Sequence, residues 1–279
     1  MIKKIEIIVS DIDNSLANKG ERPAQIAIDA LEQAKKKGIL VGLATGREIT
    51  DKVKNLDQEW QLPFSFDFII GMNGGMIYDK EDDTLFSVPM MKQEEIKDIL
   101  TYLMPLIKKH KISVNAEGGN NHNAMYIQNE LLEVMQRRGV VFNDKTNDID
   151  GFTELPAYKL LFRTTDKIGE DLRSLFLNQY GSHYQAICSF PGTLEIMPKG
   201  YDKGAGIMQY AKKKNIPLEH ILAFGDNEND NSLLETVGWG VCLKNGADST
   251  KKIANDTTDY TCIEGGIGHY LFNNHLIES

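Results

Sequence analysis

The sequence predicts an α/β fold, a doubly wound parallel sheet with an α+β region inserted into it, on three observations. Short apolar runs alternate with helix-period segments at both ends of the chain, the rhythm of a parallel sheet covered on both faces. Between residues 83 and 197 the pattern changes to longer helices and to strands with no helix between several of them. That change favours an antiparallel or mixed sheet covered on one side. Finally, the apolar runs end in a recurring set of polar residues, at the place where open parallel sheets bind ligands.

Residues 5–9 are β-branched and apolar apart from Glu6 and are followed at once by Asp11, as in a buried strand that ends in a polar loop. Pro23 opens a helix in which Ala24, Ala27, Ile28, Leu31 and Ala34 share one face, and Lys35-Lys36-Lys37-Gly38 supplies a basic last turn and a glycine stop. Residues 39–44 form a second run, 48–56 a short helix, and 68–71 a third run. A helix over 203–214 ends in Lys212-Lys213-Lys214-Asn215, followed by strand-like runs at 221–224 and 239–243. The insert reads as helices near 93–108 and 167–179 with strands at 112–115, 124–128, 157–164, 184–190 and 193–197. The expected division is residues 1–82 with 198–279 as the core and 83–197 as the insert.

The composition narrows the function. With 279 residues, 41% hydrophobic and 25% charged, the chain is long enough for two ordinary globular domains. A net charge of −9 gives it no basic footprint for nucleic acid, which points to a small-molecule partner. Its three cysteines, Cys188, Cys242 and Cys262, form no CxxC or Cys/His pattern, so neither a disulfide framework nor a zinc site is expected. The charged N-terminus and the lack of a long apolar run suggest a cytoplasmic chain without a membrane span.

The polar residues at the run ends form a coherent inventory. Ser10-Asp11-Ile12-Asp13-Asn14-Ser15 follows the first run and Thr45-Gly46-Arg47 the second. Gly225-Asp226-Asn227-Glu228-Asn229-Asp230 follows the run ending at Phe224, and Lys203 opens a helix just beyond Gly200. Bringing Asp11, Asp13 and Asp226 to one place would concentrate negative charge to an extent that calls for a divalent cation. A sparse oxygen-only donor set suits Mg²⁺, which keeps several waters and contacts phosphate. The segment from Asp226 lacks the sixth-position glycine and twelfth-position glutamate of a calcium loop.

Taken singly, these residues also fit plainer roles. Asp11 and Asp13 suit a turn or a cap, Arg47 a surface cation, Lys203 a solvated lysine in competition with Lys199, and Asn73-Gly74-Gly75 a turn. The polar loop from Glu117 through Asn120 and His122 to Asn123 is a candidate for specificity. So are Lys159 and Arg163, at even spacing on one strand, which could equally belong to a solvated sheet face.

Taken together, the motifs resemble those of the haloacid dehalogenase superfamily, in particular its Cof-type branch with an inserted C2-type cap, over essentially the whole chain. Asp11-x-Asp13-x-Ser15, Thr45-Gly46-Arg47, Lys203 and Gly225-Asp226-x-x-Asn229-Asp230 are similar to its motifs I to IV in order. The resemblance implies a Rossmann-like core and Mg²⁺-dependent hydrolysis of a phosphomonoester of a small metabolite, a sugar phosphate or phosphorylated cofactor, with the insert as a cap that sets specificity. It implies Asp11 as nucleophile, Asp13 as acid and base, and Thr45 and Lys203 as contacts to the transferring phosphoryl group. Gly46, Arg47, Asn73 and Asn229 would bind substrate or phosphate, and Asp11, Asp13, Asp226 and Asp230 would serve the metal, Asp13 through its carbonyl. The family's usual Gly-Thr after the second aspartate is here Asn14-Ser15; asparagine tolerates positive φ and serine keeps a hydroxyl, so the physical requirement is preserved. A phosphomutase and a receiver-like phosphoacceptor are the alternative readings, and a monomer or homodimer is expected.

Overall fold

The computed structural model describes residues 4–119, 121–129, 132–133, 141–190 and 192–277; Asn120 of the polar loop lies outside them. The strands are β1 (Ile7–Ser10), β2 (Leu40–Ala44), β3 (Phe68–Gly71), β4 (Met76–Asp79), β5 (Thr84–Ser87), β6 (Ser113–Glu117), β7 (Asn123–Met125), β8 (Asn143–Asp144), β9 (Lys159–Arg163), β10 (Tyr184–Phe190), β11 (Thr193–Pro198), β12 (Ile221–Gly225), β13 (Trp239–Cys242) and β14 (Asp256–Thr257). Contacts divide the chain into two compact units, residues 1–88 with 201–279, and residues 89–200.

The first unit is built on an eight-stranded sheet in the order β14-β13-β12-β1-β2-β3-β4-β5. From β14 to β3 all pairs are parallel. Ile7, Val9, Phe68, Ile70, Ile221 and Ala223 pack on one face with Ile207 and Tyr210 of the helix Lys203–Lys214. The helix Gln25–Lys36 packs against the helix Gly266–Asn273, and its buried face is Ala27, Ile28, Ala30, Leu31 and Ala34. Burying each large apolar side chain contributes about 1.5–3 kcal/mol, which is what holds charged strand ends in place against their own repulsion.

Two features of this unit differ from the sequence expectation, and residues 198–200, expected in the core, fall in the second unit. β4 pairs antiparallel to β3 and β5 antiparallel to β4, so residues 84–87 belong to the first unit and not to the insert. The reason is a tight connection from Asp79 to Thr84, in which Tyr78 donates to Asp83 Oδ1 at 2.8 Å and Asp83 takes a positive φ of 52°. The stretch 48–56 forms two short helices, Asp51–Lys54 and Leu56–Glu59, with Asn55 between them outside helical geometry.

The second unit holds a six-stranded sheet in the order β10-β11-β9-β6-β7-β8, antiparallel except for the β7–β8 pair. Its apolar face, including Val114, Leu160, Phe162 and Ile196, packs on Ile99, Leu103 and Phe176 from the helices Gln93–His110 and Asp166–Tyr180. β7 is shorter than the expected run 124–128 because Tyr126 adopts a φ of 50°, which an extended strand cannot continue through.

Candidate active site

The site residues of the first unit stand at the carboxyl ends of neighbouring strands. β1 ends at Ser10, and the Asp11 N–H still bonds the Phe224 carbonyl at 3.0 Å, so the β1–β12 ladder fixes its backbone. β12 ends at Gly225, and Asp226 follows. Gly225 has no side chain where one would collide with Asp230, since a Cβ there would lie 2.5 Å from the Asp230 Cβ. Asp230 therefore folds back over the strand end. Thr45 follows β2, with its N–H on the Ile70 carbonyl at 2.7 Å.

Lys203 is placed by a cap. Asp202 accepts from the Ala205 N–H at 2.8 Å, which starts the helix at Lys203 and satisfies one of its unpaired donors. Gly74, at a φ of +97°, admits this turn; a Cβ on it would stand 2.0 Å from the Asp202 carbonyl oxygen. The Lys203 ammonium, fully buried, donates to Asp11 Oδ1 at 2.7 Å and to Asp230 Oδ1 at 2.5 Å. Asp230 Oδ2 accepts from the backbone N–H of Asp226 at 2.8 Å and of Asn227 at 3.1 Å. Both oxygens of Asp230 are thereby engaged, whereas Asp11 Oδ2 and Asp226 Oδ2 take no hydrogen bond from the described residues.

Carboxylate oxygens of Asp11, Asp226 and Asp230 lie within 4.8 Å of one another. Burial pushes the Asp11 carboxyl well above its ordinary value; Lys203 opposes this, and Asp230 and Asp226 add to it. Asp226 is pushed up to about 7, by burial first and then by Asp230, while the Ser15 hydroxyl works the other way. Burial alone would lower the Lys203 ammonium, but Asp11 and Asp230 outweigh it and raise its pKa. A single ammonium among three buried carboxylates leaves negative charge over, which adds to burial in pushing Asp11 and Asp226 up. A hard divalent cation fits such a donor set, since the donors are all oxygens and its charge would oppose both upward shifts.

The other expected residues fall around this centre. Arg47 grips Asp13 with both arms, Nε to Oδ2 at 3.0 Å and a terminal nitrogen to Oδ1 at 2.7 Å, so the Asp13 carboxylate is not one of the clustered three. Thr45 is buried, its Oγ1 accepting the Arg47 N–H at 3.2 Å across Gly46. Asn73, at a φ of 49°, bonds the Thr45 carbonyl through its N–H at 3.1 Å and accepts from Asn229 Nδ2 at 3.4 Å. Lys199 is an exposed residue of the second unit, so the lysine of this cluster is Lys203. His122, Lys159 and Arg163 also belong to the second unit.

Three contributions went unread in the sequence. Ser15 donates to Asp226 Oδ1 at 2.9 Å, Arg47 orients Asp13, and Asp202 caps the lysine helix. Of these, only the Asp202 cap had a local signal, an acidic residue just ahead of a helix-period segment. Asn14 takes a φ of 67°, the conformation its side chain tolerates.

A family model for haloacid dehalogenase-like hydrolases matches residues 8–271. The chain belongs to that family and is an enzyme of its phosphatase type. It is 25% identical to a Bacillus subtilis 5-amino-6-(5-phospho-D-ribitylamino)uracil phosphatase, YitU, across 97% of this chain and 98% of that protein. It is also 25% identical to the Bacillus subtilis phosphatase YwpJ, across 98% and 100%. Among solved structures, a haloacid dehalogenase-like hydrolase from Bacillus subtilis superposes with a TM-score of 0.78 at 25% identity, covering 96% of this chain and 99% of that one. Among the described residues no helix is long and apolar enough to cross a membrane.

Proposed function

We propose that the chain hydrolyses the phosphomonoester of a small metabolite, in a Mg²⁺-dependent reaction that passes through a phosphoaspartyl intermediate. The observation that carries this is the buried Lys203 ammonium bridging Asp11 and Asp230, with Asp226 beside them. Asp11 and Asp226 would hold the metal through the oxygens that take no other hydrogen bond, together with the Asp13 carbonyl. Asp230 acts by fixing Lys203 and the Asp226 backbone. Bound Mg²⁺ would offset the charge of the carboxylates and of the phosphate.

Asp11 attacks phosphorus, and the bond to the leaving oxygen breaks as Asp13 gives that oxygen its proton. Water then attacks the phosphoaspartate, Asp13 takes the water's proton, and phosphate leaves with Asp11 restored. Arg47 sets the position of Asp13 through two parallel hydrogen bonds, one of which opens for Asp13 to carry the proton it gives. Lys203 and Thr45 face charge that builds on the phosphoryl oxygens, and positioning of this kind supplies most of the catalysis in phosphoryl transfer. We assign choice among phosphomonoesters to residues 89–200. The relatives' named activities make sugar phosphates and phosphorylated cofactor precursors the first class to try.

The test is phosphate release from sugar phosphates, nucleotides and cofactor phosphates, with Mg²⁺ and with EDTA. Release that needs Mg²⁺ and vanishes in Asp11→Asn with the fold intact is the expected result. Turnover retained in Asp11→Asn removes the nucleophile assignment, and isomerised sugar phosphate appearing faster than free phosphate would mean a mutase.

A further inference from the structure

The second sheet has a polar face opposite its apolar one. Val114, Leu160, Phe162 and Ile196 turn to the helices, so by the two-residue period of a strand Ser113, Asn115, Glu117, Lys159, Arg163 and Glu195 share the other side. Lys159 is 2.8 Å from Glu195 and 3.3 Å from Glu117, so one buried ammonium serves two carboxylates. Arg163 has no such partner among the described residues. Its guanidinium, half-buried, donates to Asn115 Oδ1, a neutral acceptor, although burial of an unpaired cation is costly. Directly across the ladder from Arg163 stands Ser113. Its hydroxyl is buried and has no hydrogen-bond partner among the described residues, a state that costs about 1–3 kcal/mol.

We propose that Arg163, Ser113 and Asn115 form a carboxylate-binding site on the polar face of this sheet. A guanidinium presents parallel donors that match the two oxygens of a carboxylate, and the Ser113 hydroxyl is a further donor with nothing else to bond. The glutamates do not fill the site, because both are turned to Lys159. Burial also works against the charged guanidinium, lowering its pKa in spite of Glu117 and Glu195, so a bound carboxylate would relieve a real cost. The carboxylate has two sources: the organic half of the phosphomonoester, which rests on the function proposed above, or a separate carboxylic acid.

The experiment uses the full chain. Succinate is titrated calorimetrically into the wild type, Ser113→Ala and Arg163→Gln, and each is assayed on 3-phosphoglycerate and on glycerol 3-phosphate, which differ in a carboxylate. Ser113→Ala should not lower the thermal midpoint and should raise it, since the lost hydroxyl makes no bond and its burial is a cost, and both variants should lose about tenfold in succinate affinity. If the substrate is the source, Arg163→Gln raises KM for 3-phosphoglycerate about tenfold and leaves kcat and the glycerol 3-phosphate values unchanged. If a separate acid is the source, the KM ratio stays put and succinate alters turnover of glycerol 3-phosphate only in the wild type. Wild-type protein that neither binds succinate nor distinguishes the two esters overturns the proposal, as do variants identical to it in both readouts. Calorimetry needs no turnover, so a chain that releases no phosphate would defeat the proposed function and leave the binding result standing by itself.

Discussion

Removing a carboxylate from the metal-free cluster should stabilise the protein. The Asp226 carboxyl is raised from 3.8 to about 7, and at about 1.36 kcal/mol per unit this is on the order of 4 kcal/mol. The sign follows from the direction of the shift. The folded value lies above the unfolded one, so the contribution is fully present below about pH 4 and is lost as the pH rises through about 7. Asp226→Asn keeps an oxygen for the Ser15 hydroxyl and abolishes the titration. In EDTA at pH 7.5 the variant should therefore be more stable than the wild type, by up to about 4 kcal/mol, with the difference closing toward pH 3.5. Mg²⁺ should close most of this gap by stabilising the ionised wild type, by about 2.7 kcal/mol at a hundred times its Kd, with little effect on the variant. Urea unfolding of both proteins across this pH range, with EDTA and with Mg²⁺, measures each quantity. A variant less stable than the wild type in EDTA at pH 7.5, or a difference that does not change with pH, would refute the argument that these carboxylates repel one another at the cost of the fold.

Lys203→Met should abolish phosphate release and destabilise the metal-free protein at pH 7.5 by about 3–5 kcal/mol, because it strands two buried carboxylates; steady-state assays and urea midpoints check both. Arg47→Gln should cost less than about 1 kcal/mol in stability, since its pair with Asp13 is about one-third exposed on each side. It should still lower kcat, and the urea midpoint and kcat separate these effects. Phe162→Ala, which empties a fully buried position in the second unit, should destabilise the protein by about 3–5 kcal/mol by urea unfolding. Phosphate release at saturating Mg²⁺ should be unaffected below the unfolding range.

The parallel strands were legible because a strand buried on both faces must be an apolar run, and Ile7–Ser10, Leu40–Ala44 and Ile221–Gly225 are such runs. The hairpin of β4 and β5 was not, because β5 is exposed along its whole length and carries Leu85 and Phe86 side by side, with no alternation to mark a face. Asp11, Thr45, Lys203 and Asp226 could be named because each sits at the end of an element and the chemistry demands its type. What each one touches was beyond reach. Ser15 and Asp226 are 211 residues apart, and nothing local shows that Asp230 spends both its oxygens on Lys203 and the backbone. Likewise, the even spacing of Lys159 and Arg163 put both on one face, but only the side-chain positions separate a lysine held by two glutamates from an arginine held by an amide.

The strand order explains why residues so distant in sequence converge. β1 lies between β12 and β2, and the chain leaves it in one direction through β2 and β3 and returns on its other side through β12 and β13. This reversal opens a crevice at the carboxyl ends of the strands. Neighbouring strands are about 4.8 Å apart, so Asp226, Asp11 and Thr45, each just past the end of adjoining strands, meet as a consequence of pairing alone. The segment 89–200 departs after β5, at the far edge of the sheet, and the chain returns just before Lys203. No strand of the β12-β1-β2 set is interrupted, so the reacting groups depend on contacts internal to the first unit. Changes within residues 89–200 such as Arg163→Gln leave the Asp11, Asp226 and Asp230 cluster and its hydrogen bonds in place. Where the carboxylate is the substrate's own, combining Arg163→Gln with Arg47→Gln should give losses in kcat/KM for an acidic ester that add as free energies, and non-additivity above about 0.5 kcal/mol would show that the two functions are energetically coupled.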